Sequence, residues 1–354
     1  MKKILLLVVT LCLATISYSQ TIWIANSAVG AVGGTNVFTG ANAINLAHAA
    51  AANGDIIYVV PSGVNYTTVS LSKAVSLYGG GFNPDKPGAL RSTVQNNIIT
   101  NPGANNIRIS GMVLTGGVVF GSGNTHSNVM IDKCRMQSIN GGTATLGNVI
   151  VENCIVAENY TGGPAIQFSL ASTNVRISNN IIYSHNLNTS FALNTINAAL
   201  IENNIFIDWS SGGSLVAFGS VTNSDIRNNI FYGVRPTGTG TYTGNTQQNN
   251  LSFGAADNTF STTGNSSISN IQNSDPLFVN LPYNSVYLFT YSAAPQVGSP
   301  AIGSGVGGIN MGVFGGTHPF DVHGTSLPIV QAITPPGTVY QGSNMNVRVL
   351  AKGN

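Results

Sequence analysis

Charged side chains are scarce in this sequence. Asp, Glu, Lys and Arg make up 7% of its 354 residues, against about a quarter in typical globular proteins. The exposed faces of helices normally carry many charges, so this content disfavours a helical protein. Its polarity comes instead from Asn, Ser, Thr and 42 Gly, which favour turns. With 43% hydrophobic residues, the composition indicates many short strands around a long core and disfavours disorder.

The sequence also lacks a marked excess of basic residues and any apolar run long enough to span a membrane. The apolar run at residues 4–13 follows Lys2 and Lys3 and precedes the small residue Ser19, which is the pattern of a secretory signal. We therefore predict a signal peptide over residues 1–20, a secreted or cell-surface protein, and no transmembrane segment. Loss of the two lysines cancels the formal charge of +2, so nucleic acid is not an expected partner.

Cysteine is rare as well. One of the three cysteines lies within the predicted signal peptide, which leaves Cys134 and Cys154. Both are expected in a compartment where a disulfide can persist. Their place in the sequence repeat says more about their role.

A repeat becomes visible when segments that begin with Asn or Ala are aligned. Successive copies lie roughly 20 to 26 residues apart, which is typical of the coils of a solenoid. Within a copy the apolar residues alternate, as at Val175 and Ile177, which predicts a strand with one buried face. The copies begin at Asn106, Asn128, Asn148, Asn174, Ala198, Asn223 and Asn249.

The end of each copy predicts a bend with an inward polar residue. Asn tolerates left-handed backbone conformations, and an inward amide can bond to the coils above and below it. We therefore predict a structural ladder in one column. Its members are Cys134, Cys154, Asn180, Asn204, Asn229 and Asn250. The two cysteines are expected to pack one coil apart, and a disulfide between them is the alternative, which parallel Cβ vectors would strain.

These Asn-Asn-Ile copies resemble the repeats of pectate-lyase-like, right-handed parallel β-helix proteins, especially secreted bacterial ones. The likeness extends to their opening coils at residues 54–61 and 75–82 and to their closing segment at residues 274–279, 298–302 and 310–315. The resemblance implies the fold over about residues 21–316. It implies no single activity, because this fold hosts many functions.

We accordingly predict an all-β protein, a right-handed parallel β-helix over residues 21–316. An open β-helix exposes its core and strand edges at both ends. The Ala-rich stretch at about residues 41–53 is rich in helix formers and predicts a short N-terminal capping helix. Residues 317–354, which are punctuated by proline and end in an alternating segment, predict a C-terminal β-segment or docking tail.

Candidate chemistry lies among the few charges. Asp132 and Glu152 fall one coil apart in one outward column, and Arg176 falls in the neighbouring column. The resemblance implies that polysaccharide lyases use such a face, with carboxylates that hold calcium and an arginine or lysine as the base. One hypothesis is therefore a calcium site at Asp132 and Glu152 with Arg176 as the catalytic base. The competing interpretation is cross-strand charge pairing, as between Glu202 and Arg227.

No familiar catalytic set accompanies these residues. The paired-aspartate, Gly-His-Gly and Arg-Ile-Lys signatures of the related polygalacturonases are absent. His318 and His323 flank Asp321 in a loop, where polar side chains exposed to solvent are a simpler interpretation than a zinc site. The expected function is therefore binding of a glycan or cell-surface polymer along the solenoid. The alternatives are a calcium-dependent acidic-polysaccharide lyase, a glycoside hydrolase that uses the carboxylate pair, and a structural or adhesive surface protein.

Overall fold

The computed structural model describes most of the chain. The described residues are 20–83, 90–158, 163–184, 191–208, 215–238, 240–285, 287–322, 324, 329–334 and 348–352. The predicted signal peptide, apart from its last residue, and His323 lie outside them. Among these residues, no helix has the length and apolar character needed to span a membrane.

The chain winds into a parallel β-helix, which confirms the fold class predicted from the sequence. Each full coil contributes one strand to each of three parallel sheets, A, B and C. Sheet A contains, in spatial order, Val37–Thr39, Ile22–Asn26, Ile56–Val59, Ser76–Tyr78, Ile107–Ser110, Thr125–Asp132, Thr145–Glu152, Thr173–Ser178, Ala199–Glu202, Asp225–Arg227, Thr246–Gln248 and Ser266–Ile268.

The other two main sheets contain eight strands each. Sheet B contains Val69–Leu71, Ile98–Thr100, Gly117–Phe120, Ser138–Asn140, Ile166–Gln167, Phe191–Asn194, Val216–Phe218 and Arg235–Gly238. Sheet C contains Thr93–Val94, Val113–Leu114, Arg135–Met136, Ile155–Glu158, Ile181–Ser184, Ile205–Asp208, Ile230–Tyr232 and Leu251–Phe253.

Smaller elements complete the architecture. A three-stranded parallel sheet contains Ile196–Asn197, Val221–Thr222 and Tyr242–Thr243. The strands Phe278–Asn280 and Ser292–Pro295 form one antiparallel pair, and Ile329–Thr334 and Arg348–Lys352 form another near the C-terminus. The helical elements are the α-helix Ala43–Ala50 and the 3₁₀ helix Val306–Gly308.

The helix Ala43–Ala50 packs at the N-terminal end of the solenoid. It buries Ile44 and His48 against the first coils. Lys73 Nζ donates hydrogen bonds to three carbonyl groups at the end of the helix, at 2.7 to 2.9 Å. A cation at a helix C-terminus satisfies carbonyl groups that have no partner within the helix. The Ser72 N–H donates to His48 Nε2 at 3.1 Å, so this imidazole is a buried part of the cap.

Successive residues at the bend from sheet A to sheet C have different conformations. The first has a positive φ, for example 54° at Asn179 and 55° at Asn203, a region that Asn tolerates better than most residues. The second points into the core, where Asn204 is fully buried. Asn180 N–H donates to Asn204 Oδ1 at 3.0 Å, and Asn204 N–H donates to Asn229 Oδ1 at 2.9 Å.

The same hydrogen-bonding scheme continues along the stack. Asn229 donates to Asn250 and Asn250 donates to Asn270, each through its backbone N–H at 2.9 Å. At the other end, Cys154 N–H donates to Asn180 Oδ1 at 2.9 Å. Every amide in this inner asparagine column therefore binds a neighbouring coil. Within the core the aromatic rings follow the same stacking, since Phe206 and Phe231 lie parallel with centroids 4.9 Å apart.

A closing strap, residues 299–322, returns along the outside of the solenoid. It covers outward apolar side chains of sheet C, such as Ile205 and Ile230, with its own Met311 and Val313. Ser304 contacts the late coil of Asn249, whereas Val322 contacts the early coil of Asn83. The strap therefore runs opposite to the direction of stacking. The strap continues to contact the solenoid at Asp321 and Val322, within the segment 317–354 that the sequence predicts as a C-terminal tail.

Outward asparagines, most of them at the first position of a bend, hold this strap. Asn179 Nδ2 donates to the carbonyl oxygens of Val313 and Gly315 at 2.9 and 2.8 Å. Asn153 Oδ1 accepts the Asp321 N–H at 2.7 Å. The remaining outward amides that bind the strap belong to Asn83, Asn203, Asn228 and Asn249. These six outward amides thus fix the strap at points from an early coil to a late one.

Asn204→Ala should destabilise the protein by about 3 kcal/mol, because it removes the side chain that binds the buried Asn180 N–H and the Ile177 carbonyl oxygen on the neighbouring coil. The measurement is the free energy of unfolding from urea titration. Asn174→Gly is the matched control, since it removes an exposed amide from a residue with a positive φ and should cost about 1 kcal/mol or less. Equal losses in both variants would contradict the role of the inner column.

Stability should fall as the pH decreases through about 6.5. Burial, and then the charge of Lys73, lowers the pKa of His48, and burial also lowers the pKa of His126. The unfolded chain therefore binds protons that the folded chain resists, and stability present above the ordinary histidine pKa is lost below it. Urea midpoints at pH 7.5 and 5.5 measure this loss. The double variant His48→Gln, His126→Gln should show a smaller difference; an unchanged difference would refute the assignment.

Candidate functional site

The outer face of sheet A carries two adjacent columns that contain most of the paired charges. Strand register aligns Arg108, Met130, Ile150, Arg176, Leu200 and Asp225 in one column. It aligns Ser110, Asp132, Glu152, Ser178, Glu202 and Arg227 in the other. Adjacent strands lie about 4.8 Å apart, so charges on neighbouring coils are within reach of one another.

Arg108 and Asp132 form the most buried of these pairs. Arg108 Nε and Nη2 donate to the two carboxylate oxygens of Asp132 at 2.8 and 2.6 Å. Ser110 Oγ also donates to this carboxylate at 3.1 Å. The Asp132 side chain is 2% exposed. This bidentate geometry is the strong form of an arginine–carboxylate contact.

Arg176 and Arg227 extend the series. Arg176 Nη2 donates to Glu152 Oε2 at 2.7 Å. Arg227 Nε and Nη2 donate to Glu202 Oε2 at 3.1 and 2.9 Å, and its Nη1 donates to Asp225 at 3.1 Å. These arginines remain about one third exposed, at 29% and 30%. Each guanidinium is thus held in place by a carboxylate while part of it faces solvent.

The residues proposed for calcium binding are brought close, but each has an arginine partner. Asp132 and Glu152 are register neighbours on adjacent strands, yet Asp132 binds Arg108 and Glu152 binds Arg176. A shared calcium would have to displace both arginines. Among the described residues, no three His, Cys, Asp or Glu side chains are grouped as metal ligands. The calcium site therefore stays a prediction that this arrangement does not favour.

The cysteine pair lies in the inner column and not at this face. Cys134 and Cys154 are fully buried free thiols. Cys134 Sγ lies 3.2 Å from the Asp132 carbonyl oxygen, and Cys154 Sγ lies 3.3 Å from that of Glu152. Burial, together with contact with Cys134, raises the pKa of the Cys154 thiol. Both thiols therefore act as small core residues that continue the column past its last asparagine.

A cleft opens where the strap passes beside the charged columns. Its volume is about 350 Å³. The sheet supplies the floor, with Arg176, Ser178 and Arg227, and the strap supplies the opposite wall. The lining residues are Arg176, Ser178, Asn179, Glu202, Asn203, Arg227, Asn228, Val306, Ile309, Gly316, Thr317 and His318.

Two polar atoms at the floor of the cleft have no hydrogen-bond partner within the described part of the chain. They are Ser178 Oγ and Arg176 Nε, both buried. Buried polar groups are nearly always hydrogen-bonded, so such atoms point to a partner that is absent from the protein itself. A ligand hydroxyl or an ordered water in the cleft would supply that partner. The sequence points to Arg176 through its charge alone, and it gives no sign of Ser178, which is an ordinary member of the repeat.

The strap also contributes a histidine to the cleft. His318 Nδ1 lies 3.6 Å from Glu152 Oε2, although the two residues are far apart in the chain. The main chain follows a tight path here, because a Cβ at Gly315 would overlap the carbonyl oxygen of Asn310. The Gly-Gly pair before Thr317 is a local sign of this close approach, whereas the sequence pattern around His318 predicts only a loop.

Comparison with known proteins adds the following. No family model matches the sequence, and neither does any curated protein. Among solved structures, the crystal structure of pectate lyase Pel9A aligns with 81% of this chain and 92% of that chain. The TM-score is 0.45 and the sequence identity is 14%. The comparisons assign no residue role and no activity to this chain.

Arg108→Met should lower the free energy of unfolding by about 3 kcal/mol, because it leaves the buried carboxylate of Asp132 without its cation. Adding Asp132→Leu should restore much of this loss, since both charges are then removed. Arg227→Met is the control, whose partners Glu202 and Asp225 are partly exposed, and should cost about 1 kcal/mol or less. Urea titration of the unmodified protein and the three variants measures these losses in the free energy of unfolding. An equal loss in both single variants would contradict the prediction.

Proposed function

We propose that this chain is a secreted protein that binds a glycan or cell-surface polymer along the outer face of sheet A. The signal-like pattern at residues 1–20 supports secretion. The observation that carries the proposal is the row of fixed, partly exposed arginine–carboxylate pairs on this face. Between them lie the half-buried apolar side chains of Met130, Ile150 and Leu200.

This combination suits sugars for a physical reason. A sugar presents hydroxyl groups, which both donate and accept hydrogen bonds, and C–H surfaces, which are apolar. Guanidinium groups offer donors and carboxylates offer acceptors, and their mutual pairing fixes both before a ligand arrives. Preorganised side chains lose less conformational entropy on binding than mobile ones. Half-buried Met130 and Ile150 can then contact the apolar surface of the sugar ring.

The lyase alternative finds less support at this face. The proposed base, Arg176, already donates a hydrogen bond to Glu152, and a guanidinium offers donors but no acceptor. The two carboxylates proposed as calcium ligands are each paired with an arginine. Glycan binding without cleavage therefore requires the fewest rearrangements of these side chains.

A panel of neutral and acidic polysaccharides, tested against the mature protein by isothermal titration calorimetry, examines this proposal. We expect saturable binding to at least one polymer and no release of shorter or unsaturated products. The double variant Met130→Ser, Ile150→Ser should weaken that binding by about tenfold, because two apolar contacts with the ligand are lost.

The matched control is Ile99→Ser, Val119→Ser. These residues are also half-buried register neighbours, but they lie on sheet B. Their replacement should leave the affinity unchanged. No binding to any polymer by folded protein, or equal losses in the two double variants, would reject sheet A as the binding face. Product release that requires calcium and Asp132 would favour the lyase instead.

A further inference from the structure

The cleft between sheet A and the strap has a polar floor and a partly apolar wall. Arg176, Ser178 and Glu202 present donors and acceptors from the sheet, whereas Val306 and Ile309 present apolar surface from the strap. Small-molecule sites commonly combine apolar walls with a few fixed polar groups, in volumes of about 300–1,000 Å³. At about 350 Å³, this cleft lies at the lower end of that range.

The unpartnered atoms define what a ligand has to provide. Arg176 Nε–H needs an acceptor, and Ser178 Oγ can both donate and accept. Ser178 as a whole is 2% exposed, and its hydroxyl has no hydrogen-bond partner among the described residues. A hydroxyl group satisfies both requirements, because its oxygen accepts from Arg176 while its proton is available to Ser178. An apolar ligand would leave both atoms unsatisfied.

The charge around the cleft argues against an anionic ligand. Two guanidinium groups, those of Arg176 and Arg227, reach the cleft, but carboxylates already bind both of them. These carboxylates belong to Glu152, Glu202 and Asp225, so the arginines bring no positive excess. A carboxylate group on the ligand would lose its hydration without gaining an unpaired cation. A neutral ligand avoids this cost.

The strap is fixed where it forms the wall. Asn203 Nδ2 donates to the carbonyl oxygens of Asn310 and Gly312, both at 3.2 Å, and the Val306 N–H donates to Asn228 Oδ1 at 2.8 Å. These bonds lie on both sides of Ile309 in the chain. The wall is therefore held at a set distance from the floor, which is the condition for a preformed site.

We infer that this cleft binds one neutral pyranose residue, and that it is the specificity subsite of the glycan-binding face. The inference rests on the proposed function, because it takes the ligand to be part of the same polymer. The sugar hydroxyls bind Arg176 and Ser178, and the C–H face of the ring lies against Val306 and Ile309. Uronic acids are excluded by the charge balance.

The test uses methyl glycosides of glucose, galactose and mannose, with glucuronate and galacturonate as the acidic counterparts. Saturation-transfer NMR and calorimetry on the mature protein should show binding of at least one neutral glycoside and at least tenfold weaker binding of the acids. Equal or tighter binding of the acids would overturn the inference.

Two variants locate the sugar. Thr317→Trp places a large side chain in the cleft from an exposed position on the strap, and it should weaken binding of the neutral glycoside at least tenfold. Ile302→Trp is the control, since Ile302 is 43% exposed, lies on the same strap and does not line the cleft. Equal effects of the two substitutions would count against the cleft.

Ser178→Ala separates binding from folding. Removal of an unpartnered hydroxyl should leave the urea midpoint unchanged or higher, yet weaken binding of the neutral glycoside about threefold to tenfold, as expected for one lost hydrogen bond. A lower midpoint with unchanged affinity would show a structural role and overturn the assignment.

The polymer is measured on the same variants so that the two proposals fail separately. If the polymer binds all proteins equally and no simple glycoside binds, the cleft inference is wrong and glycan binding by sheet A stands. If no polymer binds the unmodified protein, the proposed function itself fails.

Discussion

Seven successive coils, from Ile107–Ser110 to Thr246–Gln248, turn from sheet A into sheet C within two residues, and the rest of the molecule depends on that bend. Its first residue needs a left-handed backbone, which Asn accepts at small cost. Its second, such as Asn204, is buried, so its amide must be fully hydrogen-bonded. Neighbouring coils supply these partners through Asn180 and Asn229. Each coil therefore requires the next, and the stack has one register because any slip would leave buried amides unpaired.

The same bend also places an amide group on the outer surface. A left-handed residue directs its amide away from the core, and in Asn179 and Asn203 that amide binds the closing strap. The strap covers the apolar outer face of sheet C and then forms one wall of the cleft beside sheet A. A single dipeptide, repeated along the chain, thus supplies both the polar bonds inside the core and the attachment of the segment that shapes the site.

Sparse charge determines the chemistry of the outer face of sheet A. Most of the charges on the outer face of sheet A form ion pairs between adjacent coils, such as those of Arg176 with Glu152 and Arg227 with Glu202. Exposed pairs of this kind add little stability. They do fix the directions of donors and acceptors, and they leave the face without a net field that would attract polyanions. This charge balance is the reason that the ligand we propose for this face is neutral and rich in hydroxyl groups.

The sequence by itself determined the sheet A strands from Asn106 onward and the bends that follow them, because these coils repeat the same local requirements: alternating apolar residues, then a residue that tolerates positive φ. It also allowed Asp132, Glu152 and Arg176 to be placed in adjacent columns. It did not show which charges pair, because the contacts of Arg108 with Asp132 and of Arg176 with Glu152 depend on the directions of the side chains across neighbouring coils. Only the tertiary structure decided the route of the strap. That route brings His318 beside Glu152 and creates the cleft, because contacts between residues so distant in the chain follow from packing and not from any local pattern.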